Sequence, residues 1–289
     1  MKILICDAFD SSLPEKLAKY GEVFSDKERL AEANIALIRS KTKSTKEWID
    51  KAPELKMIIR GGVGLDNVDL DYAKQKGIRV DNTPEASSIA VAEMAFAMMI
   101  AMPCRLTKAH NGMVAGEWLK KQCKRTELCN KTLGLVGYGR IAKELAKRAA
   151  AFSMNVIAYK RTAATCEYAQ MKSLEEVLTQ SDFISLHTPL NDESRGLVNS
   201  ESIKKMKKGV YVINTGRGEC IVEKDVCEAL NSGHIAGYAA DVWEKEPPED
   251  RTLVETTGCL ATPHIASSTT ENLLRIGEII EQKIANFVK

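Results

Sequence analysis

Short apolar runs alternate with helical patterns along most of the chain. Near the N-terminus, runs at 3–6, 36–38, 57–59 and 78–80 have strand length and composition. Between them, 13–20, 46–52 and 70–76 carry the helical period. Strands alternating with helices predict a parallel sheet covered on both faces. This small doubly wound region ends near Asn82. The alternation resumes at Lys131, with strands expected at 132–136, 156–159, 183–186, 210–214, 236–241 and 260–262. Ser173 to Glu176 fits a capping box, and Gly233 closes a helix over 223–232.

Two apolar segments fall outside these alternations. Residues 87–104 are the most hydrophobic stretch, interrupted by Glu93 and expected to end at Pro103, which predicts a buried helix. Met94, Phe96, Met98 and Met99 read as its core face. Residues 267–289 form an amphipathic helix expected to return to the first domain. Crossings near 84–102 and 263–273 would then make a hinge, with a ligand cleft between the domains.

The strand at 132–136 runs into Gly137-Tyr138-Gly139-Arg140-Ile141-Ala142, and a helix leaves that turn. This is the context of a dinucleotide-binding fingerprint. Gly137 permits the tight turn, Gly139 lets backbone approach a pyrophosphate, and the helix N-terminus faces the anion. The unit begins nearly halfway along the chain, so another domain precedes it. Where an NAD-specific unit carries an acid for the ribose hydroxyl, Lys160 and Arg161 stand here. Neither accepts a hydrogen bond and both attract a 2′-phosphate. The expectation is an NAD(P) site with NADP tolerated or preferred. The alternative is two solvated charges and ordinary NAD use.

Three residues that follow predicted strands could carry chemistry. Arg217 lies in Asn214-Thr215-Gly216-Arg217-Gly218, Glu246 lies before Pro247, and His264 follows Pro263. Ligands of open α/β sheets bind outside the carboxyl ends of strands. An imidazole exchanges a proton, a carboxylate behind it fixes its tautomer, and a guanidinium grips a substrate carboxylate. Singly, each has a bland reading: a surface ion pair, a turn cap and a structural histidine. His187, followed by Thr188 and Pro189, is expected to line the cofactor site. His110 and His234 read as solvated, as does the lysine run at 204–208.

Composition narrows the classes. The chain has 289 residues, 44% of them hydrophobic, and a net charge of +2. No global field invites nucleic acid or an anionic membrane. The eight cysteines show no metal spacing and read as reduced thiols of a cytoplasmic protein, with no metal expected. The apolar run at the N-terminus is too short for a signal peptide.

These motifs together resemble the D-isomer-specific 2-hydroxyacid dehydrogenases over nearly the whole chain. The matching stretches are Arg60 to Asp69, Gly137 to Ile141, His187 to Leu190, Asn214 to Gly218, Asp241 to Pro247 and Pro263 to Ile265. The resemblance implies an α/β fold of two doubly wound parallel-sheet domains. A Rossmann nucleotide domain, 86–266, is inserted into a split flavodoxin-like substrate domain, 1–85 and 267–289. It implies that Arg217 binds substrate, Glu246 orients and His264 is the acid/base. Thr215 and Asp241 would lie near the cofactor. The phosphoglycerate dehydrogenase subgroup looks closest, from Arg60-Gly61-Gly62-Val63 and from 82–88. Arg60 to Val63 would bind substrate, and Lys120 and Lys121 would contact its phosphate. The implied substrate pair is 3-phosphoglycerate and 3-phosphohydroxypyruvate. The alternatives are a hydroxypyruvate or glyoxylate reductase and, from another class, a dinucleotide-sensing corepressor. The chain ends soon after the family core, so feedback through a C-terminal regulatory domain is not expected. A homodimer is implied, with contacts from 86 to 128.

Overall fold

The early apolar runs become β1 (Lys2–Ile5), β2 (Glu22–Phe24), β3 (Ile35–Ile38), β4 (Met57–Arg60) and β5 (Arg79–Asn82). They pair in the order β2-β1-β3-β4-β5, all parallel. Parallel strands cannot be joined by tight hairpins, so crossovers intervene. Three of these carry helices: α1 (Leu13–Leu17), α2 (Lys46–Asp50) and α3 (Leu70–Gln75). Side chains alternate across the sheet. Ile35 and Leu37 of β3 join one layer, while Ala36 and Ile38 join the other. The structure is a computed structural model that describes residues 1–162 and 165–288.

The chain divides into two units, Met1–Ala90 with Ser267–Lys289, and Val91–Ala266. The helix α4 (Ser88–Cys104) crosses that boundary, and α5 (Leu106–Val114) follows it at a bend of 62°. The helix α4 ends at Cys104, one residue past Pro103, close to the expected stop. Pro103 sits in the last turn, and the chain bends at Arg105, whose φ is 51°. Met98 and Met99 are buried core residues, with Met94 and Phe96 packed against them. Among the described residues, no single helix is long and apolar enough to cross a membrane.

The second unit continues with β6 (Thr132–Val136), α6 (Arg140–Ala151), β7 (Asn155–Tyr159), β8 (Gln170–Met171), α7 (Leu174–Gln180) and β9 (Phe183–Leu186). Then come α8 (Ser200–Lys205), β10 (Val210–Asn214), α9 (Glu223–Asn231), β11 (Ile235–Ala240), α10 (Thr252–Glu255) and β12 (Cys259–Ala261). The strands form one parallel sheet in the order β12-β11-β10-β9-β6-β7-β8. The order reverses between β6 and β9, which makes a topological switch point. The short edge strands β2 and β8 lack buried positions, so no apolar run announced them. Ser173 and Glu176 do form the capping box of α7. Gly233 takes φ +71° just past α9, with its N–H on Leu230 O.

The C-terminal helix α11 (Thr270–Val288) packs in the first unit, and Lys289 lies outside the described residues. Ile276, Ile280 and Ile284 recur every four residues and are fully buried with Leu13, Leu17, Ile3 and Ile59. Ile280→Ala is therefore expected to destabilise the first unit by about 2–5 kcal/mol. Denaturant unfolding followed in that unit checks it. A change near zero would mean that α11 does not anchor this core.

Candidate active site

Gly137 follows β6 with φ +93°, which favours glycine. A Cβ there would fall 2.6 Å from the His187 carbonyl oxygen just past β9. The carboxyl ends of the two switch-point strands thus touch through a glycine. At Gly139, a Cβ would meet nothing within 4 Å, so space opens in front of the turn. Gly139 is the N-cap of the twelve-residue α6 and supplies no side-chain cap. The N–H groups of its first turn suit an anion. Ala142, in the third fingerprint position, is fully buried against the core with Leu145 and Ala146.

These residues open onto a cavity of about 520 Å³. Gly137, Tyr138 and Gly139 line one side, Lys160, Arg161 and Thr162 continue from β7, and His187, Thr188 and Pro189 form another wall. An uncapped helix end, an open glycine and two cations fit an anionic dinucleotide. Arg140 and Ile141 begin α6 without lining the cavity. His187 Nε2 lies 2.9 Å from Ser185 Oγ. Burial pushes the pKa of His187 down to about 4, so its ring is neutral near pH 7. His234 lies 3.2 Å from Met206 O and is half-buried rather than solvated, whereas His110 is exposed.

A second group assembles at the ends of β10, β11 and β12. His264 Nδ1 and Glu246 Oε2 are 2.6 Å apart. Glu246 Oε1 accepts the Trp243 N–H at 3.2 Å, and Trp243 Nε1 donates to Thr262 O at 3.1 Å. Burial pushes the Glu246 carboxyl up, but His264, the Trp243 N–H and the Arg217 charge outweigh it and hold it below the ordinary value. The stabilisation this gives is present above the ordinary carboxylate range and is lost as pH falls through the lowered value. An ionised carboxylate only accepts, so Nδ1 carries the proton and Nε2 is left for a ligand.

Arg217 is half-buried, with Nη1 on Gly216 O at 2.8 Å. Its loop is braced by Asn214, whose Nδ2 donates to Arg217 O and whose Oδ1 accepts the Gly216 N–H. Gly218 lets this loop press on the next one. A Cβ there would lie 2.0 Å from the Trp243 carbonyl carbon.

Asp241 holds the histidine turn. It is 1% exposed, and it accepts the Thr262 hydroxyl and the Ile265 and Ala266 N–H groups at 2.6–2.8 Å. His264 takes φ +54°, a conformation costing of order 1–3 kcal/mol outside glycine. The hydrogen bonds to Asp241 offset that cost. Thr215 is buried beside this edge, and neither it nor Asp241 lines the 520 Å³ cavity. The clamp made by Asp241 and the contact made by Gly218 were not read from the sequence, although both residues lie in quoted motifs.

Of the remaining candidates, Arg60 ends β4 in the first unit. Its guanidinium covers Gly62, where a Cβ would fall 1.7 Å from Nη1. Gly62 N–H donates to Thr83 Oγ1, Gly61 N–H to Ile38 O, and Val63 is exposed. Lys120 and Lys121 are exposed after α5 in the second unit. All eight cysteines are free, and no group of three or more metal-binding side chains occurs among the described residues.

Comparison with known proteins places the chain. Residues 96–266 match the model of the D-isomer specific 2-hydroxyacid dehydrogenase, NAD binding domain. Hydroxypyruvate reductase of Thermotoga maritima is 44% identical over 88% of this chain and 85% of its own length. D-3-phosphoglycerate dehydrogenase of Methanocaldococcus jannaschii is 38% identical over the full chain, which spans 58% of that protein. The structure of D-lactate dehydrogenase from Aquifex aeolicus complexed with NAD and lactic acid superimposes with a TM-score of 0.88. It shares 30% identity and covers 99% of this chain and 95% of that one. The chain belongs to the D-isomer-specific 2-hydroxyacid dehydrogenase family.

Proposed function

We propose that the protein is a nicotinamide-dependent oxidoreductase of D-2-hydroxy acids. The His264–Glu246 pair, 2.6 Å apart beside the Arg217 loop, is the observation that carries this reading. When bound, the nicotinamide gives a hydride to substrate C2 or takes one from it. In the reductive direction, the doubly protonated His264 ring gives its Nε2 proton to the carbonyl oxygen as C2 is reduced and keeps Nδ1–H on Glu246. Glu246 holds Nδ1–H, so Nε2 is the nitrogen that exchanges the proton in either direction. Arg217 grips the substrate carboxylate and polarises the adjacent carbonyl. Gly137, Gly139 and the start of α6 would hold the pyrophosphate, and Lys160 and Arg161 would admit a 2′-phosphate.

The substrate proposed first is 3-phosphoglycerate with its keto partner. Lys120 and Lys121 supply cations for the phosphate, and Arg60 to Val63 are assigned to the substrate on their motif alone. Hydroxypyruvate is the second reading, favoured by the 44% identity to a hydroxypyruvate reductase. We also propose a homodimer through the arm after α4. Leu106, Met113, Val114 and Trp118 are all more than half exposed there, an apolar surface suited to a second copy. The protein is read as cytoplasmic.

His264→Ala and Arg217→Ala are each expected to lower turnover at least about 10²-fold, the scale of positioned acid–base help. Near-normal steady-state turnover in either would overturn that assignment. Lys120→Ala with Lys121→Ala should raise KM for 3-phosphohydroxypyruvate several-fold and leave hydroxypyruvate unaffected, because a phosphate needs cationic partners. An equal effect on both substrates would remove the phosphate reading. Val114→Asp should convert the dimer to monomer in light scattering coupled to size exclusion, and an unchanged mass would refute this contact surface.

A further inference from the structure

We infer that Glu193 sets the choice between the two nicotinamide dinucleotides. The inference rests on reading the 520 Å³ cavity as the dinucleotide site. Glu193 lines that cavity, on the wall opposite the end of β7. Its Oε2 accepts from Arg161 Nη1 at 2.9 Å. Among the lining residues it is the one carboxylate, and it pairs with Arg161.

The wall that carries it is braced. Asn191 Oδ1 accepts the N–H groups of Glu193 and Ser194 at 3.1 and 3.0 Å, and Ser194 Oγ donates to Pro189 O at 2.7 Å. The backbone of Glu193 is therefore fixed while its side chain reaches Arg161. The two side chains are 60% and 68% exposed, so the pair opens at little cost.

The chemistry follows from charge and hydrogen-bonding capacity. A ribose 2′-hydroxyl needs an acceptor, and the cations ending β7 provide none. Glu193 supplies that acceptor from across the cavity. A 2′-phosphate instead competes with Glu193 for Arg161 and is repelled by its charge. Glu193 thus retains NADH and handicaps NADPH, and its loss leaves both cations unopposed.

The test is direct binding of NADH and NADPH, followed by fluorescence titration without turnover. Glu193→Gln is isosteric and exposed. It should tighten NADPH about fivefold or more, which is about 1 kcal/mol on the affinity scale, and leave NADH unchanged or weaker. The gain should vanish in the Glu193→Gln, Arg161→Ala double variant and shrink in 1 M salt. A ratio of the two dissociation constants within twofold of the parent overturns the role of Glu193. Failure of the parent protein to bind either dinucleotide overturns the reading of the cavity itself.

Discussion

Parallel pairing is the constraint on which everything else depends. When every strand runs the same way, all carboxyl ends lie on one edge, and crossovers must cover both faces. The seven-stranded sheet therefore places the turns after β6, β7, β9, β10, β11 and β12 along a single rim. Gly137, Arg161, His187, Arg217, Asp241 and His264 share that rim because each follows a strand. Chemistry becomes possible there through loops, which are free to vary while the strands stay buried.

Two devices turn the rim into a site. At the switch point, the chain leaves β6 towards β7 on one side and β9 towards β10 on the other, and the close approach of Gly137 to the His187 carbonyl joins the two carboxyl ends. At the far end, Asp241 pins the turn after β12. Its carboxylate is buried and must be satisfied, and the turn's own N–H groups satisfy it. His264 thereby holds a left-handed backbone, and its ring meets Glu246. The geometry of the His264–Glu246 pair follows from satisfying one buried carboxyl group.

Electrostatics divides the rim into two parts. Around Glu246, the partners of the carboxylate outweigh its burial, so it stays ionised beside His264. Around the cavity, β7 contributes cations and the 187–197 segment contributes a carboxylate. The first part suits proton transfer on a substrate, and the second suits selection of a polyanionic ligand.

The apolar runs were sufficient to read the buried strands of both sheets, because strands buried on two faces are continuously hydrophobic. Gly137 and Gly139 were legible through the strand before them and the helix after. The candidates Arg217, Glu246 and His264 were legible one by one, each past a strand, but not their distances. The edge strands β2 and β8 were hidden, since half-exposed strands need no apolar run. Asp241 and Glu193 show the remaining limit. Sequence determined which side chains exist at the ends of which strands. Only the tertiary structure decided which loops meet there, because contacts between residues 21 to 32 positions apart depend on strand order and turn geometry. That is why Glu193, remote from Arg161 in sequence, emerged as its partner only in the fold.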